Sequence, residues 1–257
     1  MTKISVITVC RNDIKGLQQT FQSIASQDCD DFEWLVIDGD SSDGTVEWLE
    51  GNHRLKGSWI SESDGGIYDA MNKGIGLATG EYLLFMNSGD LIAQPDVLSR
   101  LIQAIEREKE APDFVYGDAL DVEENGTHHY RKSRQVSHIN VGMITRHQAM
   151  LYRREIIVTE RYPSDFKLSG DYALTARTLM KEGIQILQVS FPICLFALGG
   201  AHDEHRLKAL HEDFRIRKEI LKESYLACLL LFGVHWLHYH IRNSVPELNK
   251  KLLYTRY

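Results

Sequence analysis

The chain is poor in features that would place it in a class at once. It has four cysteines, Cys10, Cys29, Cys194 and Cys228, far apart and with no CxxC pair. That spacing suits neither a disulfide framework nor a zinc ribbon, and a reducing compartment is the simpler setting. Basic side chains number 29 against 36 acidic ones, a net charge of -7. A general grip on nucleic acid is thereby disfavoured. The longest apolar run, Tyr225 to Trp236, falls short of the roughly 20 residues that span a bilayer. Met1-Thr2-Lys3 leads straight into Ile4 to Val9, a run too short and too β-branched for a signal h-region. The expected setting is the cytoplasm. A Walker A loop is missing, which excludes a P-loop nucleotidase. The G-x-S-x-G elbow of α/β-hydrolases is missing too. His202-Asp203-Glu204-His205 lacks the i, i+4 histidines of a zinc protease. Gly74 to Gly80 mimics a dinucleotide fingerprint only faintly, with wrong spacing and after a helical pattern.

What is present is an ordinary globular composition over 257 residues, 43% apolar and 25% charged, enough for one large domain. Strand and helix signals alternate over the first two-thirds. Strands are expected at Ile4–Val9, Phe32–Ile37, Trp59–Ser61, Tyr82–Met86 and Phe114–Tyr116. Helices are expected where Leu17, Phe21 and Ile24 share a face, from Thr45, over Ile67–Leu77 and over Pro95–Glu108. Beyond residue 120 come a hairpin around Asn125-Gly126, a strand at Met150–Tyr152 and a helix over Tyr172–Glu182. Strand candidates follow at Ile184–Val189 and Phe191–Leu198, then a helical tail. The fold class is α/β: a mostly parallel sheet flanked by helices. The expected division is an α/β unit over 1–200 and a helical segment over 201–257.

Ligands in such sheets lie beyond the carboxyl ends of the strands. Here those ends carry Asp38 and Asp40, then Asn87 and Asp90, then Asp118. A single Asp after a strand is usually a turn former or helix cap. Three strands delivering acids to one edge can bind ribose or base edges, or a cation through hard oxygen ligands.

Four segments then resemble glycosyltransferase family 2, which has the GT-A fold. They are Ile4 to Asn12, Trp34-Leu35-Val36-Ile37-Asp38-Gly39-Asp40-Ser41-Ser42-Asp43-Gly44-Thr45, Gly66 to Tyr82, and Leu84-Phe85-Met86-Asn87-Ser88-Gly89-Asp90. The likeness is nearest to small bacterial enzymes that build exopolysaccharide, which share the Gly66 to Gly74 run, a His-Gln pair and a segment like Ser169 to Arg177. The resemblance implies an inverting transfer of sugar from a UDP- or GDP-linked donor to a hydroxyl of a growing polysaccharide or lipid-linked oligosaccharide. It implies a divalent cation, Mn²⁺ or Mg²⁺, on Asp90, and Asp171 as the base. The nucleotide side would be Thr8, Val9, Arg11, Asp38, Asp69, Lys73, Asn87 and Ser88. The donor-sugar or acceptor side would be Asp118, His147 and Arg177. Two departures stand out: Gly39 replaces the second signature acid, and Asn87 and Gly89 replace the first two acids of the metal motif.

Rival readings are a sugar nucleotidyltransferase and a non-catalytic nucleotide-sugar-binding subunit. The loop Cys10-Arg11-Asn12-Asp13 lacks the Gly-rich, basic character of the first; the retained Asp90 and Asp171 speak against the second. The tail from Tyr225, with Arg242, Lys250, Lys251 and Arg256 after it, is read two ways. It is a helix packed on the catalytic unit or on a homodimer partner, or an anchor at an anionic membrane surface. His235, His238 and His240 mark an interfacial face rather than a metal site.

Overall fold

The computed structural model describes residues 3–52, 56–123, 125–198 and 206–244. The His202–His205 cluster, Lys250, Lys251, Arg256 and the side chain of Arg242 lie outside the described residues. Strand β1 (Ile4–Cys10) is buried at every position, because helices cover both of its faces. Its side chains alternate between two cores. Ile4, Val6 and Cys10 face one, and Ile7 and Val9 face the other. Helix α1 (Ile14–Ala25) buries Leu17, Thr20 and Ile24, a stripe at helical spacing, and Asp13 caps it by accepting from Gly16 N at 3.1 Å.

β2 (Phe32–Asp38), β3 (Gly57–Ser61) and β4 (Tyr82–Phe85) join β1 in the parallel order β3-β2-β1-β4. Helices α2 (Thr45–Gly51) and α3 (Ile67–Leu77) make the crossovers. The chain builds outward from β1 to β3, then returns to β1's other side with β4. The switch point between β1 and β4 is where such sheets open a ligand crevice. β5 (Leu91–Ile92) and α4 (Val97–Glu106) follow, so the helix begins two residues later than expected.

The second half is mixed. β6 (Phe114–Val122) is longer than expected, and Asp118 therefore sits inside a strand rather than at its end. Gly117, which reads as a stop, is instead wrapped by Val189, Phe191 and Ile193. β6 forms the expected hairpin with β7 (His128–Arg131) and pairs antiparallel with β8 (Met150–Arg153). After α5 (Arg154–Glu160) comes α6 (Gly170–Leu179), which starts two residues early and takes Asp171 into its first turn. The two late strand candidates are one strand, β9 (Ile186–Ala197), parallel to β6 with a register shift opposite Asp118. Pro192 is tolerated there because the ladder is already broken. α7 (Arg206–Glu219) shares a core with α6 through Phe166, Tyr172, Ala173, Ala176 and Ile216. α8 (Tyr225–Ser244) packs on α7.

Candidate active site

The loops after β1 and β4 meet at the switch point. Ser88 N donates to Val9 O at 3.1 Å, and Ser88 Oγ donates to Asp13 Oδ2 at 2.8 Å. Asn87 to Asp90 form a tight turn closed by Asp90 N to Asn87 O at 2.9 Å, with Gly89 at φ 88. That backbone conformation excludes most side chains and explains a glycine where the motif usually has an acid. Thr20 of α1 holds the turn from behind. Its Oγ1 accepts from Gly89 N at 3.0 Å and donates to Asp90 O at 2.8 Å.

Asp90 is buried, and desolvation pushes its carboxyl up to about 7. Gln148 Nε2, at 2.7 Å, and Asn87 N, at 3.2 Å, both donate to Oδ2. Asn87 Oδ1 is buried with no hydrogen-bond partner among the described residues. One carboxylate and one orphaned amide oxygen in the same turn are hard donors of the kind Mg²⁺ and Mn²⁺ accept. Among the described residues, no group of three or more His, Cys, Asp or Glu is placed to hold a metal. The donor set thus fits a cation that arrives with further ligands, not one caged by protein alone.

Asp171 lies in the first turn of α6, where the helix dipole favours a negative charge. It is not the cap; Ser169 occupies that position. Oδ1 accepts from Tyr172 N at 2.8 Å and from the Tyr68 hydroxyl at 3.3 Å. Oδ2 carries no hydrogen bond among the described residues. Burial and the nearby Asp171 charge push the Tyr68 hydroxyl far up, so it remains a donor. Its ring fills the space over Gly170, where an added Cβ would come within 2.7 Å of it.

Residues 5–183 match the pattern of Glycosyl transferase family 2. The chain belongs to that family. It is 44% identical over 103 residues to an uncharacterized glycosyltransferase of Mycobacterium tuberculosis, covering 40% of this chain and 39% of that one. The chain thus spans about two-fifths of that relative's length. A PGL/p-HBAD biosynthesis glycosyltransferase of Mycobacterium bovis is 34% identical over 191 residues, 73% of this chain and 70% of the relative. Among solved structures, TarS of S. aureus in complex with UDP-GlcNAc superposes with TM-score 0.66 at 19% identity, over 93% of this chain and 72% of that one. A mannosyltransferase from Pyrobaculum calidifontis in complex with GDP-Man and Mn²⁺ gives TM-score 0.66 at 15% identity, over 98% and 79%. The fold is GT-A.

Other residues that the family resemblance singles out are placed as follows. Val9 and Arg11 end β1 at the switch point; Arg11 is exposed and Val9 buried. Thr8 points into the core, accepting from Trp34 Nε1 at 2.8 Å. Asp38 is fully buried with both oxygens engaged by Ser41 and Ser61. Asp69 accepts from Gly65 N at 2.9 Å, and Lys73 pairs with Glu62 at 2.8 Å and donates to Ser63 O, so both brace the loop before α3. Asp118 is buried, accepting from Ser133 N, Ser133 Oγ and the Tyr130 hydroxyl. His147 is buried between Phe85 and Tyr162, bonded to the Tyr162 hydroxyl at 2.6 Å. Arg177 stands in the last turn of α6, six residues and about 9 Å of helix rise from Asp171.

Sequence reasoning missed four residues. Of the His-Gln pair, Gln148 is the one that reaches Asp90. Tyr68 lies inside the quoted Gly66 to Gly74 run but carries no motif of its own. Thr20 reads as a helix-interior position. Glu212 of α7 accepts from Lys167 N, Leu168 N and Ser169 N at 2.8 to 2.9 Å, and so fixes the turn leading into Asp171. Only the His-Gln pair left a signal in the sequence; the other contacts join segments dozens of residues apart.

Proposed function

We propose that this chain transfers a sugar, with inversion, from a nucleotide-diphosphate sugar to a hydroxyl of a saccharide or lipid-diphosphate-linked acceptor. One chain of contacts carries the reading. Gln148 donates to Asp90, while its neighbour His147 bonds Tyr162, which stacks on Tyr68 at 5.2 Å, which donates to Asp171. A single short turn thus ties the acid suited to the leaving group to the acid suited to the acceptor. Family membership, with TarS bound to UDP-GlcNAc and the archaeal mannosyltransferase bound to GDP-Man, supports a UDP- or GDP-linked donor.

Asp90 and Asn87 would hold a divalent cation, whose chemistry is to neutralise the departing diphosphate. Arg11 and Ser88 border the crevice where the nucleotide would lie. Asp171 accepts the proton of the acceptor hydroxyl on its free oxygen, while Tyr68 fixes the other. A lone carboxylate base acting opposite the leaving group gives inversion. Beside Tyr68 opens a cavity of about 290 Å³, lined in part by Tyr162, Phe166, Asn72 and Lys167. Aromatic walls with a polar rim suit a sugar ring, and the acceptor is assigned there.

A peripheral membrane place on the cytoplasmic side is part of this reading. α8 leaves Leu226, Leu230, Val234 and Leu237 exposed along one side, which suits burial at a lipid surface. No helix among the described residues is long and apolar enough to cross a membrane. The proposal is tested by incubating the protein with a panel of UDP- and GDP-sugars, with and without Mn²⁺, and measuring release of nucleoside diphosphate. Metal-dependent release from one donor is expected. Release from none of them, or release at the same rate in excess EDTA, would contradict it.

A further inference from the structure

At the proposed nucleotide end of the site, one acid is buried and the position after it carries none. Asp38 is largely engaged within the protein: Oδ1 accepts from Ser41 Oγ at 2.5 Å, and Oδ2 from Ser41 N at 3.0 Å and Ser61 Oγ at 2.6 Å, which leaves at most one acceptor site, on Oδ1, on a fully buried residue. The next residue, Gly39, has no side chain. The space where that side chain would begin is nevertheless filled. A Cβ built on Gly39 would lie 2.5 Å from Asp64 Oδ2, and 3.4 Å from both Cβ and Cδ of Arg11.

Asp64 comes from a different loop, the one joining β3 to α3. Its Oδ1 is anchored by Gly66 N at 2.8 Å. Its Oδ2 takes no hydrogen bond among the described residues. β1, β2 and β3 are neighbours in the sheet, so their carboxyl ends bring Arg11, Gly39 and Asp64 together at one edge. The result is a half-buried Asp64 with one carboxylate oxygen that takes no hydrogen bond among the described residues, beside Gly39 at the end of β2 and an exposed Arg11.

Resting on the proposed nucleotide-sugar donor, we infer that Asp64 reads the nucleobase, its carboxylate replacing the side chain that Gly39 lacks. An ionised carboxylate only accepts hydrogen bonds. It matches the N3–H of uracil and the N1–H and N2 amino group of guanine. It repels the ring-nitrogen acceptors at the corresponding positions of cytosine and adenine. Asp64 is therefore a specificity-determining residue, selecting UDP- or GDP-linked donors against CDP- and ADP-linked ones. Gly39 is the vacancy that lets it stand there.

The test is calorimetric titration of the full chain with UDP, GDP, CDP and ADP in the presence of Mn²⁺. The wild type is expected to prefer UDP or GDP. Asp64→Ala should weaken the preferred nucleotide by about 10- to 100-fold, the loss expected for a hydrogen bond to a charged group. Asp64→Asn offers a donor as well as an acceptor and should narrow the preference over CDP. Gly39→Asp combined with Asp64→Gly returns a carboxylate to β2 and should restore the preference. If Asp64→Ala binds with wild-type affinity and preference, the inference is overturned while the donor reading stands. If the wild type binds none of the four nucleotides, both fall.

Discussion

Asp90 shows what a single side chain carries here. Burial works against its charge, and the Gln148 amide, the Asn87 N–H and the charge of Arg146 only partly offset that. A cation bound at this turn would supply the missing compensation. Asp90→Ala should therefore abolish the enhancement of nucleotide binding by Mn²⁺, while Asn87→Ala should reduce it less. Titration of UDP with and without metal reads both, and an unchanged metal effect in Asp90→Ala would remove the cation from this site. His147 is the opposite kind of residue. Full burial lowers its pKa, with only Asp171 pulling the other way. The unfolded chain takes up this proton near 6.5 and the folded chain at a lower pH. Between the two values the unfolded state binds more protons, so stability falls as pH falls. The stability advantage of wild type over His147→Gln should thus shrink between pH 7.5 and pH 5.5, measured as urea midpoints; a constant gap would contradict the account. Sequence marks acids and histidines but not how their atoms are occupied. Asp38, Asp118 and His147 each bond a partner from another segment, Ser61, Ser133 and Tyr162, that the local sequence does not show.

Among the elements, the parallel half was legible because its apolar runs and turn residues agree: β1, β2, α3 and β4 fall within a residue or two of their expected ends. The second half was harder. Gly117 and the Ser190-Phe191-Pro192 stretch look like breaks, yet both lie inside strands that tolerate them through a register shift. The tail helix has a face for each of its two readings. α8 buries Cys228, sets Phe232 against His211 and Phe214, and brings His235 to Arg217. The opposite stripe, from Leu226 at 66% exposed through Leu230 at 63% to Leu237 at 54%, is bare. Packing and an interfacial role are therefore compatible on one helix. Each such Leu is worth about 1.5–3 kcal/mol when buried. Leu230→Glu with Leu237→Glu should leave the fold intact, since exposed substitutions usually change stability by less than about 0.5 kcal/mol, and should abolish co-sedimentation with anionic vesicles. Undiminished vesicle binding by that variant would exclude the stripe as the contact.

At the scale of the whole molecule, the fold links two acids of different setting, Asp90 and Asp171, through Gln148, His147, Tyr162 and Tyr68. The β1–β4 switch point brings Asn87 and Asp90 into one turn, the pair proposed to serve a nucleotide's phosphates. α3, α6 and α7 together present Asp171, held by Tyr68 on one side and by the Glu212-bound turn on the other. The strand–turn motifs made the first legible from sequence. The second rests on contacts between residues 68, 171 and 212, which no local pattern encodes. The central claim is that Asp171 is the base of a sugar transfer, and the direct measurement is Asp171→Asn under single turnover, with donor affinity measured on the same protein. The account predicts transfer slowed by about 10²- to 10⁴-fold, as for loss of a general base, with nucleotide-sugar affinity unchanged. Transfer by Asp171→Asn at the wild-type rate would contradict it.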